Sequence, residues 1–311
     1  MPGALLFSSR LDDPLAWSAA LKAAMPELEI RISPELGDPA DIESALVWRA
    51  PPGELASLPN LRLITNLGAG VDPILADPTV PTHIPVARLG DAVMAQMMAQ
   101  FVTMCVLRHH RGLSRYERQH RERRWHYELP IPSYDCRVGI MGIGLLGGAA
   151  ARMLSFIGFP VAGWGRSRRS IDGVDIYHGD AGLSPFLART DILVCLLPLT
   201  RETRRIVGRD VLYGLPRGAK LINCGRGGTV DEAALLAALQ DGQVAEATID
   251  VFETEPLPAE HPFWGMENVL VLPHIASIAV PEIAARDVVE NIRRLRMGEP
   301  LLNVVDRVRG Y

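Results

Sequence analysis

Three side chains in the second half of the chain have the chemistry to move a proton and hold an anion: Arg226, Glu255 and His274. A histidine beside a carboxylate forms an acid–base pair, because the carboxylate orients the ring and favours its protonated form. Such a ring can give its proton to a carbonyl oxygen. A guanidinium takes a planar carboxylate through two parallel hydrogen bonds. Arg226 sits in Asn223-Cys-Gly-Arg-Gly227, where flanking glycines hold the backbone open to a ligand. Glu255 lies in a loop stiffened by Pro256 and Pro258, and His274 follows Pro273. Taken singly, His274 also fits a structural histidine and Arg226 a structural ion pair; their convergence is what carries chemistry.

Convergence requires elements that end together. Six stretches run apolar and stop at a chemically capable residue: 137–142, 160–166, 191–198, 219–226, 246–250 and 269–274. As parallel strands of one sheet they share a carboxyl edge, where open α/β sheets bind ligands. Gly142, Arg166, Pro198, Arg226, Asp250 and His274 are then expected to line one cleft.

The segment Gly142-Ile-Gly144-Leu145-Leu146-Gly147 follows the first of these strands and precedes a helix-forming run. In that context GxGxxG reads as a dinucleotide loop. Gly142 makes the tight turn, Gly144 admits the pyrophosphate, Gly147 lets helix and strand pack, and the helix N-terminus favours the anion. The next strand ends in Arg166-Ser167-Arg168-Arg169, where an NAD site has Asp or Glu. Guanidinium groups suit a 2′-phosphate, so NADP(H) is expected over NAD(H). Cys224 is expected beside the cofactor, and Asp250 to accept from the nicotinamide carboxamide or to cap a helix. The combined reaction is hydride transfer to a small 2-keto acid, with His274 protonating the developing alkoxide, Arg226 binding the substrate and Glu255 tuning His274.

The first hundred residues alternate short apolar runs with helical stretches, at 4–8, 28–32, 44–48, 61–66 and 84–88 for the strands. Such alternation implies βαβ units and parallel sheets. The expected fold is α/β: two Rossmann-like, doubly wound domains with an active-site cleft between them. The substrate domain is expected over 1–98 with 276–311, the dinucleotide domain over 99–275, and the last helix near 281–297. Leu67-Gly-Ala-Gly-Val-Asp72 follows a strand and exposes backbone N–H groups, with Ala69 and Gly70 the expected donors to substrate. Trp48 closes another strand and reads as either a pocket wall or a core residue. No cation is evident near 67–72, which argues against a phosphorylated substrate.

A helical stretch over 91–125, broken near Gly112, is basic in its second half and reads as a solvated face or a subunit contact. His109, His110, His120 and His126 are placed on it, and His83, His178 and His261 on loops. With a net charge of −4 and no aromatic stacking platform, nucleic acid is not expected as a partner. The four cysteines include no CxxC, so no metal site is expected and a reduced, cytoplasmic setting is. The longest apolar run, 92–107, is shorter than a bilayer span, and residues 1–10 do not resemble a signal peptide.

Gly142–Gly147, Leu197-Pro-Leu-Thr-Arg-Glu-Thr203, Ile222–Gly227, Asp250-Val-Phe with Glu255-Pro-Leu-Pro258, and Pro273-His-Ile-Ala-Ser277 together resemble the D-2-hydroxyacid dehydrogenases. Val47-Trp48, 67–72, Gly158-Phe-Pro160 with Arg166-Ser-Arg168, and the ending 305–311 resemble the glyoxylate/hydroxypyruvate reductase A type within that family. The resemblance spans essentially the whole chain. It implies D-stereochemistry, a homodimer, Arg226, Glu255 and His274 as the catalytic set, and Pro198 and Thr203 as cofactor contacts. It also implies a tryptophan reaching the partner subunit's pocket, for which Trp125 is the match. Gly225 departs from the alanine often found there, and its freedom is expected to loosen Arg226. Two other readings remain: a dehydrogenase of the same fold for another 2-hydroxy acid, and a nucleotide-sensing regulator that keeps the fold.

Overall fold

The computed structural model describes residues 3–311 and divides into two compact units, Met1–Met94 with Ile278–Tyr311, and Ala95–Ser277. The first unit is built on β1 (Ala4–Ser9), β2 (Ile30–Ile32), β3 (Ile42–Trp48), β4 (Leu63–Asn66) and β5 (Val86–Arg88), all parallel in the order β2-β1-β3-β4-β5. Strand β1 is buried over Ala4–Ser8 and β4 throughout, the near-continuous burial that a parallel sheet covered on both faces demands.

Helix α1 (Pro14–Ala24) starts where Asp13 accepts the Leu15 N–H at 2.9 Å and Pro14 presets the first turn. Short α2 (Asp72–Ala76) follows β4. The last helix, written α9 below (Pro281–Met297), packs on α1, burying Ala284, Ala285, Val288, Ile292 and Leu295 along one stripe. Gly298 ends it at φ +71°, the left-handed cap that glycine enters without strain.

Helices α3 (Ala92–His110) and α4 (Leu113–Arg121) come next, parted by Gly112 at φ +59°. The second sheet holds β6 (Val138–Met141), β7 (Val161–Gly165), β8 (Val174–His178), β9 (Ile192–Cys195), β10 (Ala219–Asn223), β11 (Val244–Ile249) and β12 (Val269–Val271). Connecting helices are α5 (Leu145–Phe156), α6 (Gly179–Ala188), α7 (Arg209–Gly214) and α8 (Glu232–Gln240). The seven strands are parallel in the order β12-β11-β10-β9-β6-β7-β8. Strand order therefore reverses between β6 and β9, the switch point at which such sheets take ligands.

Strand β8 has no counterpart in the sequence reading, which put His178 on a loop. It is an edge strand, partly or fully exposed along its length, and its Val174-Asp-Ile-Tyr-His pattern is short and half polar. His126 lies beyond the end of α4, where its backbone N–H meets Gln119 Oε1 at 3.2 Å. Among the described residues, no helix is long and apolar enough to cross a membrane.

Candidate active site

Three adjacent strands end level. Asn223 of β10 pairs with Ile249 of β11, and Ile249 pairs with Val271 of β12. Arg226, Asp250 and His274 lie a few residues past those ends, so register alone delivers them to one edge. Glu255, in the loop after β11, brings Oε2 to 3.0 Å from His274 Nδ1. Its other oxygen accepts the Phe252 N–H at 3.0 Å, which fixes the carboxylate before it meets the ring. His274 sits at φ +59°, a conformation that a non-glycine residue adopts only when its surroundings hold it there.

Asp250 supplies that hold. Its two oxygens accept the N–H groups of Ile275 at 2.8 Å and Ala276 at 2.9 Å, immediately after His274. It caps no helix; it staples β11 to the turn that carries the histidine. Burial pushes its carboxyl above the ordinary value, against the pull of those two N–H groups and of His274. Cys224 lies buried close by, and its thiol is pushed far up by burial first and by the fields of Cys105 and Asp250 after it.

Three hydrogen bonds tie down the backbone at Gly225 and Arg226. Thr229 Oγ1 donates to its carbonyl at 2.6 Å, Asn223 Nδ2 to the same carbonyl at 3.3 Å, and Asn223 Oδ1 accepts the Gly225 N–H at 3.3 Å. A Cβ at Gly227 would fall 1.9 Å from the Phe252 carbonyl carbon, so the loops of Arg226 and Glu255 touch through that glycine. Gly225 answers the same need. A methyl there would lie 2.9 Å from the Leu197 carbonyl oxygen. Close packing, not slackness, accounts for this glycine, and the expected loosening of Arg226 is corrected.

At the switch point, Gly142 turns at φ +101°, and a Cβ on it would meet the Leu196 backbone at 2.7 Å. A Cβ at Gly147 would collide with the Gly142 oxygen at 2.0 Å, whereas Gly144 opens on space with nothing within 4 Å. Gly144 also stands at the N-terminus of α5. Tight turn, open backbone and helix end together fit a dinucleotide pyrophosphate. Leu145 is exposed and Leu146 half-buried on the first turn of that helix. Arg166, Ser167, Arg168 and Arg169 are exposed after β7. In the loop after β9, Thr203 Oγ1 donates to the Pro198 carbonyl at 2.6 Å and accepts the Thr200 N–H at 2.7 Å, bracing that loop. Glu202 of the same loop is held below the usual carboxylate range by its own N–H, by the Thr200 hydroxyl and by the fields of Arg166 and Arg201. Arg166 thus acts on the loop after β9 through Glu202.

A family model described as D-isomer specific 2-hydroxyacid dehydrogenase, NAD binding domain, matches residues 103–276. The chain belongs to the D-isomer specific 2-hydroxyacid dehydrogenases. Within them it is of the glyoxylate/hydroxypyruvate reductase A type: it is 39% identical to the glyoxylate/hydroxypyruvate reductase A of Yersinia enterocolitica over 300 residues, 95% of this chain and 96% of that protein. A D-isomer specific 2-hydroxyacid dehydrogenase from Xanthobacter autotrophicus Py2, solved with NADPH and MES, is 52% identical with a TM-score of 0.96, covering 100% of both chains. The NADPH-dependent glyoxylate/hydroxypyruvate reductase of Sinorhizobium meliloti, solved with NADP and sulfate, is 38% identical with a TM-score of 0.93, covering 99% of this chain and 100% of that one. The chain is thus an oxidoreductase.

In the first unit of this dehydrogenase, Trp48 closes β3 with its ring lying on Gly68, where a Cβ would fall 2.7 Å from Cζ3. Arg49, at φ +51°, places its guanidinium 5.9 Å from the centre of that ring. Ala69 and Gly70 are half-exposed on the loop after β4. The expectation of no cation near 67–72 is corrected: Arg88, ending β5, brings Nη1 to 3.3 Å from the Ala69 carbonyl oxygen. The pairing of β4 with β5 makes Arg88 a neighbour of that loop, but its sequence distance hides this.

Trp125 is 99% exposed on the segment after α4 and joins no other site residue of its own chain. His109, read as part of a solvated stretch, is buried instead. Its Nδ1 meets Glu246 Oε2 and its Nε2 meets Thr248 Oγ1, both at 3.0 Å, while Ser114 Oγ donates to Glu246 Oε1. It is a second histidine–carboxylate pair, placed to join α3 and α4 to β11.

Proposed function

We propose that this dehydrogenase reduces small 2-keto acids, glyoxylate and hydroxypyruvate among them, to D-2-hydroxy acids with NADPH. The observation that carries the reading is the His274–Glu255 pair at 3.0 Å, on the same strand edge as Arg226. Arg226 binds the substrate carboxylate and polarises the keto oxygen. Glu255 holds His274 at Nδ1, which leaves Nε2 to pass a proton to that oxygen as it gains charge. When bound, the dinucleotide supplies the hydride. Gly142, Gly144 and Gly147 with Leu145 and Leu146 receive its pyrophosphate; Arg166, Ser167 and Arg168 receive the 2′-phosphate; Pro198, Thr203 and Cys224 flank it. Asp250 accepts from the carboxamide while bracing the His274 turn. Within the first unit, Ala69 and Gly70 offer backbone N–H groups, and Trp48 its ring, to substrate.

Preference for NADPH follows from charge. The run 166–169 just after β7 carries three guanidinium groups and no carboxylate, and each charge-assisted hydrogen bond to a phosphate contributes about 1.5–3 kcal/mol. Solved relatives named above hold NADPH or NADP. The exposed side chains of Leu113, Tyr116, Trp125, Tyr127 and Leu129 suit a second copy of the chain, as a homodimer places Trp125 in its partner's pocket.

The decisive experiment mixes purified protein, NADPH and either glyoxylate or hydroxypyruvate and follows loss of cofactor absorbance. Turnover is expected with both acids and is weaker with NADH. No turnover across a panel of 2-keto acids would defeat the proposal and favour a regulatory role for the fold.

A further inference from the structure

Arg226 and Glu255 lie on separate segments, 224–232 after β10 and 250–268 between β11 and β12. Their spacing depends on what joins those segments. One join is steric, at Gly227, which admits the Phe252 carbonyl. The other is a side chain at the start of α8. Glu232 Oε1 accepts the Glu253 N–H at 3.1 Å, just before Glu255. Its Oε2 stands 3.5 Å from His261 Nε2, past the far end of the same turn. His261 Nδ1 accepts the Phe263 N–H at 3.3 Å, so Nε2 is the ring atom that presents a proton to Glu232. One half-buried carboxylate thus holds the stretch that bears Glu255 at both of its ends.

Helix α8 does not need this residue as its cap. Asp231 fills that place by accepting the Ala234 N–H at 3.0 Å. Glu232 instead reaches off the helix to the loop, although a negative charge in a first turn also suits the helix dipole. Glu253 does not need it as a charge partner either, since its own carboxylate faces Arg205 Nη2 at 3.3 Å and Arg204 Nη1 at 3.6 Å. What Glu232 takes is a backbone N–H. A peptide plane fixed at Glu253 limits where Glu255 can go. Glu255 in turn meets His274 Nδ1 at 3.0 Å, and a displacement of about 1 Å would take that pair out of hydrogen-bond range.

We propose that Glu232 is a positioning residue for proton transfer: it ties the stretch bearing Glu255 to the start of α8, and so fixes Glu255 against both His274 and the Arg226 segment. The proposal rests on the reductase reading and deepens it. It also gives His261, a histidine outside the catalytic set, a place as the second anchor of that carboxylate. All of these groups belong to the second unit. A charge that only steadies α8 would work as well one carbon shorter; a positioning carboxylate would not.

Two substitutions in the intact enzyme separate these roles. Glu232→Asp keeps the charge on the helix and withdraws both oxygens by about 1.5 Å, one carbon–carbon bond. Glu232→Gln loses the charge but keeps an oxygen within reach of the Glu253 N–H. With glyoxylate and NADPH, Glu232→Asp is expected to lower kcat roughly tenfold or more and to leave the NADPH dissociation constant unchanged. Glu232→Gln is expected to restore kcat to within about threefold of wild type. An unchanged kcat in Glu232→Asp, or equal losses in both variants, would overturn the proposal. So would the reverse order, which would assign Glu232 to the helix alone. Nitrogen-bound proton resonances of histidine-labelled enzyme give an answer without turnover. The His274 Nδ1–H signal, identified as the one missing from His274→Ala, is expected in wild type and Glu232→Gln and should be lost or broadened in Glu232→Asp. Its persistence in Glu232→Asp, or its absence from wild type, would count against the proposal. The signal of the His109–Glu246 pair, near the start of β11, should stay in every variant; its loss alongside would mean general loosening and would also count against Glu232. If the His274 signal behaves as expected while wild type reduces no 2-keto acid, the positioning stands and the reductase reading falls.

Discussion

The second unit has two ends at one sheet edge, and they are built in opposite ways. Past β10, β11 and β12 every chemically capable group is braced: Glu255 by a backbone N–H, Asp250 by two, and the Arg226 backbone by Thr229 and Asn223. Past β7, the arginines stand in solvent. Proton transfer needs a group held within hydrogen-bond reach and at a fixed angle. Recognition of a phosphate dianion needs only charge of the right sign close by, and exposed guanidinium groups provide it. Braced groups should therefore control turnover, and solvated ones the choice of cofactor.

The largest effect should come from the braced end. His274→Ala is expected to lower kcat by about a thousandfold, within the range of general acid catalysis, and to leave the NADPH dissociation constant nearly unchanged. Stopped-flow turnover with equilibrium cofactor titration separates the two. Comparable losses in both would mean that His274 shapes the cofactor site, not the proton path, and the contrast between the two ends would collapse.

At the solvated end, Arg166→Asp together with Arg168→Ala is expected to shift the NADPH-to-NADH ratio of kcat/KM by roughly ten- to a hundredfold, with kcat at saturation little changed. Raising ionic strength should shrink the preference of the unmodified enzyme, since exposed charges are screened over about 10 Å at 0.1 M salt. A ratio that ignores both the substitutions and salt would make these arginines solvated residues without a ligand.

The same contrast governs what could be read from sequence. Helix α9, expected near 281–297, runs over Pro281–Met297: Pro281 marks its first turn and Gly298 follows its last. The Arg226, Glu255 and His274 candidates were legible because each lies just past an apolar strand, and strand register does the rest. Strand β8 escaped because an edge strand alternates with solvent and looks like a loop. The His109–Glu246 pair joins residues 137 positions apart, and Arg88 reaches its loop from 19 positions away. No local pattern announces such partners; they follow only from which strands become neighbours. Gly225 misled in another way, since a glycine chosen for close approach and one chosen for freedom are the same letter.

The smallest prediction probes the solvated end from its own counter-charge. Glu202 stands beside Arg166 and Arg201, fully exposed, with its carboxyl lowered chiefly by its own backbone N–H and by Thr200. A depressed carboxyl stays ionised throughout the working range above its ordinary value of 4.5, so the charge of Glu202 is constant with pH there. Glu202→Gln removes that charge and frees the fields of both arginines. NADPH is expected to bind about two- to threefold more tightly, and NADH, which lacks the phosphate, to bind as before; an exposed pair is worth little more. Titration at low and high salt checks the cause, because the gain should fade as screening rises. A gain shared equally by NADH, or one that persists at high salt, would place the effect in the loop's conformation.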